Sequence, residues 1–140
     1  MGTLVDISKT TLTPALLYNF AKKFNSLCLP IRVKCGEDLF TLQRDCICIS
    51  KRGAVLDISI LKPNAETTHF MTCYDLYAPC QHRDLHTDDI RLCDGMAVSY
   101  FLTLGSVKFT KSAIVIDTND LTPVEYDDLD AKDRVIIWQV

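Results

Sequence analysis

Apolar residues recur every three or four positions near the start of the chain and every second position after it, which predicts a helix followed by strands. Leu16, Leu17, Phe20, Ala21, Phe24 and Leu27 form one apolar face over Pro14 to Leu27, leaving Asn19, Lys22, Lys23 and Ser26 toward water. Thr13 supplies a side-chain cap and Pro14 suits the first helical position, where no amide hydrogen bond is lost. Pro30 closes the helix, because the residue before a proline avoids helical geometry.

Alternation then predicts strands at Ile31–Cys35, Leu39–Leu42, Asp45–Ser50 and Ala54–Leu61, with turns at Gly36-Glu37-Asp38 and Lys51-Arg52-Gly53. In the last of these strands Leu56, Ile58 and Ile60 share an inner face, with Asp57 and Ser59 on the outer one. Leu4–Ile7 reads as a short edge strand and Thr67–Tyr74 as another strand. Met96–Leu104 and Val107–Asp117 read as a hairpin turning at Gly105-Ser106. The acidic stretch Thr118–Asp133 reads as a surface loop, and Arg134–Val140, with Trp138, as a strand tied into a sheet. No internal repeat, linker or low-complexity segment is read. The expectation is one compact domain over 1–140, mainly β (a sandwich or barrel of short antiparallel strands) with one amphipathic N-terminal α-helix, α+β by strict count.

Composition narrows the function classes more than it names one. The 140 residues are 48% hydrophobic and 24% charged, ordinary for a globular domain able to fold without disulfides. No run of eighteen apolar residues and no basic, apolar leader is read, so neither a membrane span nor secretion is expected. The seven cysteines are an odd number and point to thiols in a reducing, cytoplasmic setting. Phosphate-binding glycine motifs are absent, which argues against nucleotide hydrolysis and dinucleotide chemistry.

The candidate chemistry gathers in Met71–Gly95, where Cys73, Cys80, His82, His86 and Cys93 supply five donors of the kinds that a tetrahedral zinc ion takes. His82 and His86 are four apart and would share a face on a turn of helix. The tight Cys-x2-Cys pairs of common zinc modules do not occur, and packed thiols with surface histidines account for the same residues. Cys46 and Cys48 read as small core residues on one strand face. A cysteine-dependent hydrolase is a rival reading, with Cys80 or Cys93 activated by His82, His86 or His69 and oriented by Asp84.

Charge offers a third reading. The chain carries −3 overall, but through Lys62 there are nine Lys/Arg against five Asp/Glu (+4), and beyond it six against thirteen (−7). Lys22, Lys23, Arg32, Lys34, Arg44, Lys51 and Arg52 could bind RNA or another nucleic acid, with Tyr18 or Phe40 stacking on bases. An acidic pI near 5.5 weighs against that. The favoured reading is a non-enzymatic binding or regulatory protein acting through its surface on a protein partner or on itself, with a structural zinc at 73–93 as an option. The small, cysteine-rich, motif-poor chain resembles viral accessory or structural proteins in style, and no motif carries that resemblance.

Overall fold

The computed structural model describes residues 9–50, 53–94, 98–119, 121, 123–125 and 135–136. In chain order these form α1 (Pro14–Lys23), β1 (Ile31–Cys35), β2 (Asp38–Thr41), β3 (Ile47–Ser50), β4 (Gly53–Asp57), α2 (Cys73–His82), β5 (Arg91–Asp94), β6 (Val98–Phe101), β7 (Val107–Phe109), β8 (Ile114–Asp117), β9 (Pro123–Glu125) and β10 (Val135–Ile136). Single 3-10 turns, Arg44–Cys46 and Leu104–Ser106, lead into β3 and β7. The class is mixed α+β, with two sheets and two helices. One sheet has the order β2-β1-β8-β7 and the other β10-β3-β4-β5-β6-β9. Most pairings are antiparallel, but β1–β8 and β4–β5, at the centre of each sheet, are parallel.

The chain is built twice. Helix, two strands, 3-10 turn and two strands occur in that order from α1 to β4 and again from α2 to β8. Local bonding recurs with the same offset. Ser26 donates to the Ala21 carbonyl and Leu85 to that of Cys80, both at 2.7 Å. Asn25 and Asp84, at these helix ends, both take left-handed φ, at 56° and 59°. Leu42 N–H bonds the Ile31 carbonyl, and Leu102 N–H that of Ile90. The halves are also interleaved: β1 of the first pairs with β8 of the second, and β5 of the second with β4 of the first. Tyr18 and Tyr77 hold equivalent positions and stack on each other at 4.4 Å, so the approximate two-fold axis passes between their rings.

This overturns the expectation of no internal repeat. Thr13/Thr72, Leu17/Leu76, Tyr18/Tyr77, Ile31/Ile90, Arg32/Arg91 and Gly36/Gly95 are identical fifty-nine apart, and Leu42/Leu102, Val55/Val115 and Asp57/Asp117 sixty apart. The second half has one extra residue between these two sets. The shared residues are sparse and mostly fix the core and turns, so little else in the two sequences matches.

Other expectations are corrected as well. Residues 73–82 form a second helix rather than the end of a strand. Its start is fixed by a capping box, in which Thr72 N–H donates to Asp75 Oδ2 at 2.9 Å and Asp75 N–H to Thr72 Oγ1 at 3.4 Å. β-rich residues before it and Pro79 inside it hide the helical signal. Thr72→Ala is expected to cost about 1 kcal/mol in chemical denaturation. The hairpin lies at β7–β8 instead, turning through Lys111 and Ser112, while β6 and β7 belong to different sheets. Helix α1 ends at Lys23, and Phe24 is 52% exposed rather than part of a buried face. Ile60 is likewise exposed. Cys46 sits in a 3-10 turn, apart from strand residue Cys48, although both are buried.

The inner faces of the two sheets and both helices share one core, which includes Leu17, Ala21, Ile31, Val33, Ile47, Leu56, Leu76, Leu92, Ile114 and Ile116. Val135–Ile136 does join a sheet, against β3. Leu4–Ile7, Trp138 and most of Thr118–Asp133 lie outside the described residues. Among those described, no helix is long and apolar enough to cross a membrane.

Candidate functional site

The five residues singled out as zinc ligands are placed in different parts of the fold. Cys73 and Cys80 are on α2 with their side chains in the core. His82 is exposed at the end of that helix. His86 lies beyond it, edge-on to Tyr77 at 6.1 Å, with a buried Nδ1 that has no hydrogen-bond partner. Cys93 is on β5, buried with Cys48 and Val55 on the outer face of the six-stranded sheet. Among the described residues no three His, Cys, Asp or Glu side chains come together as a metal site requires.

Burial also sets thiol chemistry. Loss of hydration pushes Cys73 up to about 12 and Cys80 to about 11. Cys46 is pushed to about 12, chiefly by burial and in small part by nearby Asp45 and Asp57. A nucleophile needs the opposite shift. All seven cysteines are thiols, and Cys28 is the exposed one. Iodoacetamide at neutral pH is therefore expected to modify Cys28 first, with Cys73 and Cys80 protected until the chain unfolds, as peptide mapping would show. The sign for stability follows directly. Below the unfolded thiol value of 9.0 both states are neutral; above it the unfolded chain ionises first, so stability is expected to fall from pH 9 toward 12. Thermal unfolding across that range checks it.

The basic residues are dispersed. Lys22 and Lys23 are exposed in the last turn of α1. Arg32 and Lys34 point to the outer face of the four-stranded sheet, opposite Ile31 and Val33 in the core. Arg44 reaches Asp75 at 3.2 Å, tying the 3-10 turn to the start of α2. Lys51 and Arg52 lie outside the described residues. Neither proposed stacking ring is a free platform: Tyr18 is stacked on Tyr77, and Phe40 packs against the core.

A surface the sequence reading missed lies where α1 meets β7. Phe24, just past the helix end, stacks on Phe109 at 5.1 Å and lies 6.4 Å from Phe20. Exposed Lys22 and Lys23 precede Phe24, and exposed Lys108 and Lys111 flank Phe109 along the chain. The Phe20-x3-Phe24 spacing was visible, but it reads as core on any helix one turn longer than α1.

This aromatic cluster borders β7, an edge strand among the described residues. β7 ends the four-stranded sheet. Thr110 N–H bonds the Ala113 carbonyl and Ile114 N–H bonds Pro30, so by antiparallel alternation Phe109 turns its N–H and C=O away from β8. The six-stranded sheet ends in β10 and β9. β10 pairs with β3, β9 with β6, and at β2 Leu39 N–H donates to Asn64 Oδ1 at 3.0 Å while Asn64 N–H donates to the Leu39 carbonyl at 2.7 Å. Comparisons with protein-family models, with curated proteins and with solved structures find no match to this chain.

Proposed function

We propose that this is a non-enzymatic binding protein that engages a protein partner through the Phe24–Phe109 surface. The observation that carries the reading is a 52% exposed Phe24 stacked on a ring of an edge strand, with four lysines close by in sequence. An aromatic centre with a charged rim is the composition of an energetically productive protein interface. Cys46, Cys73 and Cys80 support the same conclusion by a separate route, since their raised values leave less than roughly one part in a thousand of each as thiolate at neutral pH. The scattered basic residues give less support to a nucleic-acid surface, which works best as a continuous basic track.

The test is a photo-crosslinking amino acid at position 24, introduced into the full chain and irradiated in its native cells. A protease-sensitive, nuclease-resistant adduct, lost in a K22E/K23E background, is the expected result. Adducts sensitive to nuclease would replace this reading with nucleic-acid binding; no adduct at all would overturn it.

A further inference from the structure

We infer that the outer face of the four-stranded sheet, centred on Arg32, Val115 and Lys108, is a docking surface for an acidic segment of a partner protein. It is separate from the Phe24 surface, since on β7 Lys108 faces outward while Phe109 packs against the core, and the inference does not depend on that reading.

The internal duplication carries the argument. Three of the identities between the halves, Arg32/Arg91, Val55/Val115 and Asp57/Asp117, lie on the outer faces of the sheets. In each sheet the arginine stands opposite the valine across the central parallel pair, Arg32 with Val115 and Arg91 with Val55. The two faces differ in cover. On the six-stranded sheet Val55 is fully buried, Arg91 is 5% exposed and has interaction partners, and Cys48 and Cys93 beside them are buried. On the four-stranded sheet Arg32 and Val115 are half-buried, and Lys108 and Lys34, at the positions equivalent to those two cysteines, are exposed. One framework is thus covered in the first case and accessible in the second.

The side chains of the accessible face specify its occupant. Lys108 and Arg32 flank Val115 from the neighbouring strands, and Lys34 lies one row further along β1, opposite Asp117. Among the described outward side chains of β1, β7 and β8, three cations therefore accompany one carboxylate. Arg32 is the unsatisfied member, because its buried Nε has no hydrogen-bond partner. A half-buried guanidinium without a counter-charge is costly, and a carboxylate is the group its planar fork pairs with. Val115 between the cations offers an apolar contact that a phosphate backbone does not use. A segment with an apolar residue among its carboxylates matches both features.

The test is an NMR titration of the full chain with a synthetic peptide of glutamates flanking a leucine, compared with its lysine-for-glutamate counterpart and with a single-stranded DNA oligomer. The glutamate peptide is expected to shift the Arg32 Nε–H and Val115 methyl signals, and the lysine peptide to leave them in place. Lys34→Glu/Lys108→Glu, at two exposed positions, should weaken the glutamate peptide about tenfold, while Lys22→Glu/Lys23→Glu, on the Phe24 surface, should leave it within about twofold. Equal weakening in both double variants would reduce the effect to general charge attraction and overturn the proposal, as would an unshifted Val115. Tighter binding of the DNA oligomer at the same signals would overturn it in favour of nucleic acid.

Discussion

Gly53→Ala is expected to be among the most damaging single substitutions in the chain, at about 2–6 kcal/mol from combined backbone strain and overpacking. Gly53 opens β4 at φ +119°, a conformation that L side chains rarely adopt. An added Cβ would also lie 2.8 Å from the Asp89 carbonyl oxygen and 3.1 Å from Asp88 Cβ. The closer contact is backbone, so a rotamer change cannot relieve it. Asp88 and Asp89 lead into β5, which pairs with β4 across the junction between the halves. The clash therefore acts on the strand exchange itself. Gly36 provides the comparison: its φ is +60° but no atom lies within 4 Å of the place an added methyl would take, so Gly36→Ala carries only the conformational cost of about 1–2 kcal/mol. Urea titrations of both variants should show the larger shift in midpoint for Gly53→Ala.

Leu56→Ala is expected to cost about 2–5 kcal/mol. Leu56 is fully buried on β4 and is paired with Ile47 on one side and Leu92 on the other. Truncation leaves a cavity between the halves, bounded by strands that cannot close it without shifting the central parallel pair. A melting-temperature loss of roughly 10 °C follows for a domain of this size. Ile60→Ala, at a 57% exposed side chain, should stay within about 0.5 kcal/mol of the parent.

What could be read from sequence depended on whether the signal was local. The start of α1 was legible because Thr13 and Pro14 act on adjacent backbone, and β1 because Ile31 and Val33 alternate with Arg32 and Lys34. The capping box that starts α2 was equally local, but Thr72 and Asp75 sit behind a β-rich run, and Pro79 argues against a helix. Strand partners were less accessible. Nothing near Ile31 indicates that β1 pairs with Ile114–Asp117, eighty residues on, because loop closure leaves no local mark. The Cys/His cluster was close in sequence and yet divided in space. Helix α2 carries Cys73 and Cys80 into the core, and β5 carries Cys93 to the opposite side of a sheet.

The aromatic edge was hidden for a related reason. Phe24 and Phe109 are remote in sequence, and they meet only where the end of α1 reaches β7. Tandem halves are free to diverge once one of them has secured the shared core. In this chain the first half's β3 receives β10, while the second half's β7 carries the half-buried Phe109 against the exposed Phe24.

Residue-resolved amide hydrogen exchange on the protein alone tests the interleaved duplication most directly. Leu42 and Leu102, whose N–H groups bond the Ile31 and Ile90 carbonyls, should both be protected, and Lys108, paired with Val115 of β8, with them. Exchange of Leu102 at close to the rate of an exposed amide, with Leu42 protected, would mean that the two halves are not built alike and would contradict the account.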